Sequence, residues 1–173
     1  MKGPTPSAAG NFRMRCAKYL PLGQLADVVA LEKGAGKTIV LANGGFDLIH
    51  VGHVRYLQQA KALGDILVVA LNSDSSLKEL KGAARALIDE EGRVRIIAAM
   101  ACVDHVTLFA ERTVEGVLRA LTPHFHCKGA DYTPDSIPER DVVRGYGGRL
   151  AIVGGDKVRS TSLVIRRIKE LYG

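Results

Sequence analysis

The stretch TIVLANGGFDLIHVGHVRYLQQAKALGDILVVAL, residues 38–71, contains the pattern that defines the fold of this chain. Its first residues, TIVLA, form a short β-branched run that ends at NGG, which is typical of a buried strand meeting a glycine turn. Residues 53–63 carry their apolar side chains at helical spacing, and Gly64 ends that segment. The run ILVVAL, residues 66–71, is continuously apolar, which indicates a strand covered on both faces in a parallel sheet. The stretch therefore predicts a strand–helix–strand unit.

The same alternation continues on both sides of this unit. Upstream, the pattern predicts a short amphipathic helix over residues 20–32, ended by Gly34 and Gly36. Downstream, it predicts helices over 89–102, 115–121 and 162–171 and strands over 103–109, 125–127 and 150–153. Strands separated by helices of about ten residues indicate an α/β fold. We therefore expect a Rossmann-like, doubly wound parallel sheet of about five strands with helices on both faces.

Length and composition fit one soluble domain. The chain has 173 residues, of which 47% are apolar and 24% charged, a balance that supports a real core. Residues 1–17 carry Gly, Pro, Ser, Asn and basic residues without periodicity, so we predict a flexible N-terminal tail there. Residues 18–173 then form a single domain.

Composition also argues against several partners. Aromatic residues make up only 5%, fewer than a stacking-based nucleic-acid binder uses, so we expect no nucleic-acid partner. The longest apolar run, residues 96–103, is far shorter than the roughly 20 residues of a membrane span, so we expect no membrane partner. The three cysteines form no CxxC pair, and the first twenty residues contain no signal-like apolar block, so we expect a cytoplasmic protein. The net charge of +6 favours an anionic partner.

Polar and glycine-rich segments follow the predicted strands, where a doubly wound sheet binds its ligands. These segments are NGGFDLIHVGH (43–53), NSDSSLKELKG (72–82), ERT (111–113), KGADY (128–132) and GGDKVRSTS (154–162). The fold class and the polar segments therefore predict the same edge of the sheet as the site.

A second glycine-rich segment, GAGKT at residues 34–38, superficially resembles a phosphate loop. That motif requires a glycine at position 31, where this chain has Leu31, and it lies between a strand and a helix. Here a helix precedes the segment and a strand follows it. We interpret the segment as a helix stop.

The segment GFDLIHVGH, residues 45–53, carries the strongest signal. A helix N-terminus offers unpaired N–H groups to phosphate, and glycines 44, 45 and 52 leave the backbone open to a phosphate chain. His50 and His53 are three residues apart, so both imidazoles can face the same anion. A zinc site is less favoured, because no third ligand lies nearby in the sequence.

HVGH at residues 50–53 resembles the HxGH signature of the cytidylyltransferase-like nucleotidyltransferases. The resemblance extends from about residue 37 to residue 169. Within that family, the segments LNSD (71–74), LKG (80–82) and KGADY (128–132) are most similar to D-glycero-β-D-manno-heptose 1-phosphate adenylyltransferases. Two departures are Arg85-Ala86 in place of Arg-Pro, and GDKVR at 155–159 where glycerol-phosphate cytidylyltransferases carry RTEGI.

The resemblance implies transfer of AMP from ATP to the heptose 1-phosphate, giving ADP-heptose for lipopolysaccharide core, with Mg²⁺ as cofactor. A CTP-dependent enzyme acting on glycerol 3-phosphate or a similar alcohol phosphate is the alternative. A non-catalytic nucleotide- or RNA-binding domain is a third reading, and the intact His50, His53 and Lys81 count against it. Relatives often associate, so we also expect a homodimer.

Site residues follow from the same resemblance. The catalytic residues are His50, His53 and Lys81. The nucleotide-binding residues are Gly45, Phe46, Asp47, Gly52, Arg93, Lys128, Asp131, Ser160, Thr161 and Ser162. The acceptor-binding residues are Asn72, Asp74 and Lys78.

Several of these residues have plainer alternatives. Asp47 either positions Mg²⁺ or caps the helix that follows. Arg93 either faces the nucleotide or forms a surface ion pair with neighbouring glutamates, and Lys78 also suits an exposed helix turn. Residues 160–162 can cap the last helix as well as bind phosphate. The run HFHC at 124–127 suggests a metal site, but strand alternation separates Cys127 from the two histidines.

Overall fold

A computed structural model describes residues 16–82, 86–155 and 161–173. The helices are α1 (Leu22–Gly34), α2 (Val51–Lys61), α3 (Asp74–Lys81), α4 (Glu90–Ala98), α5 (Glu115–Leu121), α6 (Arg140–Gly145) and α7 (Thr161–Tyr172). The strands are β1 (Ile39–Gly44), β2 (Ile66–Asn72), β3 (His105–Phe109), β4 (Phe125–Gly129) and β5 (Arg149–Val153), and a 3-10 turn covers Pro134–Ser136. Within these ranges, every helix is too short or too polar to cross a bilayer.

The five strands form one parallel sheet in the order β3-β2-β1-β4-β5. The chain moves outward from β1 through β2 to β3 and then returns to the other side of β1 with β4. Ala42 in β1 is paired with Val69 on one side and Cys127 on the other. The topological switch point therefore lies between β1 and β4, and the predicted doubly wound sheet is confirmed.

Alternation along the central strand divides the core into two layers. Val40 and Ala42 pack in one buried cluster with residues of α2 and α4. Ile39 and Leu41 pack in the other, with residues of α1, α5 and α6. Because successive side chains of a strand point to opposite faces, a fully apolar strand needs helices on both sides. The predicted two-sided arrangement is confirmed.

The predicted elements are all present, with shifts at their ends. The helix predicted over 115–121 matches α5, whereas the helix predicted over 89–102 ends at Ala98. Asp89 caps that helix by accepting a hydrogen bond from the Gly92 N–H at 2.7 Å. The helices α3 and α6 are absent from the sequence prediction, because only Leu77 and Val143 respectively are buried apolar residues in them. Each helix contains only two apolar residues, which are too few to establish a helical period.

Residues 1–15 of the predicted N-terminal tail lie outside the described part of the chain. From Cys16 onward the chain packs against the domain. The Leu20 N–H donates to the Val106 carbonyl at 2.9 Å, and the Val106 N–H donates to the Lys18 carbonyl at 2.8 Å. These bonds place residues 18–20 beside β3, where they cover the edge of the sheet.

Candidate active site

An open cavity of about 910 Å³ lies at the carboxyl ends of β1 and β4, at the topological switch point. Most of the residues predicted for the site line it. These residues are Gly45, Phe46, Asp47, His50, Gly52, His53, Asn72, Lys81, Lys128, Asp131, Thr161 and Ser162. The loops that follow β1, β2 and β4 and the start of α7 thus converge on one cavity.

Four predicted residues stand apart from this group. Asp74, Lys78 and Arg93 do not line the cavity, and Ser160 lies outside the described residues. Other residues that line it had not been selected from the sequence, among them Arg112, Thr113, Tyr132 and Glu139. The signal for Arg112 and Thr113 was present, since the segment ERT follows a predicted strand. Glu139 follows no strand, and nothing in the sequence marks it.

The glycine loop after β1 requires a glycine at position 45. A Cβ atom there would lie 2.7 Å from Leu77 Cδ1, and Leu77 is buried in α3. The absence of a side chain therefore lets α3 pack directly against the loop. The next residue, Phe46, has φ of +48°, a left-handed conformation that non-glycine residues rarely adopt. Such strain persists where surrounding contacts fix the backbone.

The side chain of Asp47 fixes this loop through hydrogen bonds to the backbone. Its side chain is 5% exposed, and its Oδ1 accepts hydrogen bonds from the N–H groups of Leu87 at 2.8 Å and Ile88 at 3.0 Å. Helix α2 begins only at Val51 and has His50 at its N-cap position, so the helix-cap alternative for Asp47 is wrong. The carboxylate instead joins the loop to the segment before α4.

His50 and His53 stack at the start of α2. Their ring centroids are 3.9 Å apart and the ring planes are inclined by 19°. The Nδ1 atom of each ring is buried. Burial, together with electrostatic interactions with His50 and Lys81, lowers the pKa of His53 from 6.5 to about 4. At neutral pH the free His53 is therefore uncharged, and its imidazole can donate one N–H to an anion.

Lys81 is the last residue of α3 and lines the cavity. Its charge acts on the imidazole of His53, so the two groups belong to one electrostatic environment. A cation and two imidazoles on one wall are suited to a chain of phosphates. The structure therefore brings together the three residues predicted to be catalytic.

Two alternatives were predicted for Arg93: facing the nucleotide, or forming an ion pair on the surface. The structure shows neither. Arg93 is fully buried, and its Nη2 atom donates to Asp74 Oδ1 at 2.7 Å. Its Nη1 atom donates to the carbonyl of Gly45 at 2.6 Å. Arg93 and Asp74 thus bind each other behind the cavity wall. Lys78, on α3, is exposed, which agrees with the alternative that it belongs to an exposed helix turn.

Lys128 is held at the β4 side of the cavity by protein acceptors. Its Nζ atom donates to Glu139 Oε1 at 3.1 Å and to Asn43 Oδ1 at 3.2 Å, and it lies 5.3 Å from the Tyr132 ring centroid. Two of its three N–H donors are thus used within the protein. Because Glu139 balances its charge, Lys128 attracts an anion less strongly than an unpaired lysine would.

The two histidines of the HFHC segment lie immediately before β4 and within it. His124 accepts a hydrogen bond from the Ile39 N–H at 2.9 Å, and His126 is fully buried. No group of three or more His, Cys, Asp or Glu side chains within residues 16–82, 86–155 and 161–173 is arranged to hold a metal ion. The segment is part of the sheet and its core.

Burial, together with the nearby charge of Lys128, lowers the pKa of His126 from 6.5 to about 3. The imidazole is therefore neutral in the folded protein over most of the pH range. Its Nε2 lies 3.9 Å from Glu139 Oε2, and because the ring is neutral this approach is not an ion pair. Between pH 6.5 and pH 3, the unfolded chain therefore binds a proton at His126 and the folded chain does not.

Acid is expected to destabilise the protein through His126. The unfolded state binds more protons between pH 6.5 and pH 3, so the free energy of unfolding falls as the pH falls through this window. At pH 4.5, about two units below 6.5, the loss from this residue is about 3 kcal/mol. Urea unfolding at pH 7 and pH 4.5 measures it. In His126→Asn the difference between the two pH values is expected to shrink by that amount. Equal differences in both proteins would contradict the prediction.

Comparisons with known proteins agree with this geometry. A family model described as cytidylyltransferase-like matches residues 41–172. The chain is 48% identical over 157 residues to the bifunctional protein HldE of Geobacter metallireducens, covering 91% of this chain and 32% of that protein. It is 46% identical over 142 residues to the protein of the same name from Azorhizobium caulinodans, covering 82% and 30%. The chain thus spans about a third of the length of these relatives.

A solved structure has a similar fold. The lipopolysaccharide core biosynthesis protein from Thermoplasma volcanium GSS1 superposes with a TM-score of 0.57 at 28% sequence identity. The alignment covers 68% of this chain and 94% of that one. The fold therefore has a counterpart among solved structures.

Proposed function

Because this chain belongs to the cytidylyltransferase-like family of nucleotidyltransferases, we propose that it transfers AMP from ATP to D-glycero-β-D-manno-heptose 1-phosphate, giving ADP-heptose and pyrophosphate. The observation that carries the proposal is the pair of stacked histidines at the start of α2, beside Lys81, in a cavity at the switch point of the sheet. A helix N-terminus with neutral N–H donors and a lysine is suited to a triphosphate chain.

The choice of acceptor rests on the similarity to the heptose 1-phosphate enzymes. The segments LNSD, LKG and KGADY carry that similarity, and each contributes residues to the cavity wall. The Thermoplasma volcanium relative, described as a lipopolysaccharide core biosynthesis protein, supports a role in the same kind of glycan. An ATP substrate and three free cysteines support a cytoplasmic location.

The reaction needs no general base. The second pKa of a phosphate monoester is about 6, so the acceptor phosphate is largely a dianion at pH 7. One of its oxygens attacks the α-phosphorus of ATP, a new P–O bond forms, and the bond to the β-phosphate oxygen breaks. Pyrophosphate leaves with that electron pair. Catalysis then consists of positioning two polyanions and stabilising the charge that develops between them.

The cavity residues are suited to these two tasks. His50 and His53 would donate N–H groups to the triphosphate, and the N–H groups of the loop around Phe46 would hold it. Lys81 would bind the phosphates of both substrates and draw them together. A bound triphosphate adds negative charge beside His53, which would raise the pKa of that imidazole and strengthen its N–H as a donor.

Mg²⁺ fits this site as part of the substrate. Mg²⁺ usually binds one or two carboxylates together with substrate phosphates. Asp47 is the carboxylate within the loop after β1, and its Oδ1 already accepts two backbone N–H groups. We therefore propose that the ion arrives on the phosphates of ATP, where it would neutralise part of their charge.

The nucleotide preference can be tested by ligand-induced stabilisation. Saturating ATP with Mg²⁺ is expected to raise the melting temperature by about 5–10 °C, and CTP by much less. Pyrophosphate release should then require ATP and the heptose 1-phosphate together, with glycerol 3-phosphate as the negative control. A larger shift with CTP, followed by release with glycerol 3-phosphate, would establish the alternative cytidylyltransferase reaction instead.

A further inference from the structure

A single buried arginine joins four parts of the chain behind the phosphate site. Arg93 is fully buried, and its Nη1 atom donates to the carbonyls of Gly45 at 2.6 Å and Asn72 at 2.8 Å. Its Nη2 donates to Asp74 Oδ1 at 2.7 Å, and its Nε donates to the carbonyl of Ile88 at 3.1 Å. The guanidinium therefore connects the ends of β1 and β2, the start of α3 and the segment before α4.

The bond to Gly45 sets the direction of one peptide plane. In a trans peptide the C=O of one residue and the N–H of the next point in opposite directions. Because the Gly45 carbonyl is turned back to Arg93, the N–H of Phe46 is turned the other way. Gly45 and Phe46 both line the cavity, and Phe46 holds the left-handed conformation described above.

The same guanidinium also fixes the helix that carries Lys81. Asp74 is the first residue of α3, and Lys81 is the last. The Arg93–Asp74 pair thus fixes one end of this helix relative to the glycine loop. Movement of Arg93 would shift the loop and the lysine together.

We propose that Arg93 is the positioning residue of the phosphate site: its guanidinium holds the Gly45–Phe46 peptide so that the Phe46 N–H binds a phosphate oxygen of the substrate. The proposal rests on the proposed function only in requiring that the cavity binds a phosphate chain. Arg93 touches no substrate itself. A lysine cannot replace it, because one ammonium group does not reach all four acceptors with the geometry of a planar fork.

The test is the binding of inorganic tripolyphosphate, measured by calorimetry. Arg93→Lys is expected to bind tripolyphosphate and ATP about tenfold more weakly than the unaltered chain, because the charged ligand loses a well-aligned N–H donor. Arg95→Ala is the matched control, since Arg95 lies on the same helix but is half exposed and pairs with Glu91. That variant should bind tripolyphosphate normally.

Chemical rescue separates positioning from general stability. Guanidinium at about 20 mM, far below concentrations that unfold proteins, should restore tripolyphosphate binding to Arg93→Ala. Methylammonium at the same concentration should not. Restored melting temperature without restored binding would overturn the proposal, as would normal tripolyphosphate binding by a folded Arg93→Lys.

A second pair of variants covers the case in which Arg93→Ala does not fold. Asp74→Ala removes one acceptor of the guanidinium, whereas Asp74→Asn keeps an oxygen in its place. Tripolyphosphate binding should weaken about threefold in Asp74→Ala and less in Asp74→Asn. Normal binding by both would count against the proposal. Because these measurements need neither acceptor nor turnover, they remain decisive even if the chain proves to use another sugar phosphate.

Discussion

His53→Ala is expected to lower kcat by about a hundredfold or more, while the protein keeps its fold. The imidazole lies on the cavity wall, stacked on His50, and burial keeps it neutral in the free protein. A donor aimed at charge that develops during the reaction stabilises the transition state more than the bound substrate. The loss should therefore appear mainly in kcat, with the KM for ATP changing much less. Steady-state kinetics with ATP and the heptose 1-phosphate varied in turn measures both.

The control for this variant is His105→Ala. His105 begins β3 and does not line the cavity, and burial lowers its pKa too, so it matches His53 in residue type and partial burial. Its kcat should equal that of the unaltered chain. A folded His53→Ala that turns over at nearly the normal rate would show that the site assignment is wrong. The reaction would then not depend on an N–H donor at position 53.

The sheet could be predicted from the sequence because its strands are buried on both faces. Continuous runs such as ILVVAL have no polar residue at any position, and few other structures explain such a run between glycine turns. The ends of helices were less predictable. Helix α4 stops at Ala98 although apolar residues continue to Val103, because those residues turn to pack before β3 rather than extend the helix.

The site was predictable where its residues lie in segments that follow a strand. His50, Lys81 and Asp131 follow three different strands, and the parallel sheet brings them to one cavity. Arg93 shows the limit of this reasoning. Whether its guanidinium enters the cavity or binds carbonyls behind it depends on where Gly45 and Asn72 turn their backbone oxygens. A sequence pattern contains no information on that direction.

Lys81→Ala is expected to lower kcat/KM for the sugar phosphate by about a hundredfold. A lysine that binds the phosphates of both substrates contributes two charge-assisted interactions, and each is worth more than an ordinary hydrogen bond. Both the KM for the acceptor and kcat should therefore change. If Lys81 instead only interacted with the C-terminal end of α3, its loss would cost a few tenths of a kcal/mol in stability and leave the kinetics unchanged.

Two further measurements distinguish these roles for Lys81. Since its charge lowers the pKa of His53, Lys81→Ala should raise the pKa of that imidazole above about 4 in an NMR titration of the free protein. Lys37→Ala is the matched control: this exposed lysine precedes β1, at the amino end of the sheet and away from the cavity. It should leave both the titration and the kinetics unchanged. If Lys37→Ala abolished turnover while Lys81→Ala did not, the segment GAGKT would be the phosphate loop after all, and the site at the carboxyl edge would lose its support.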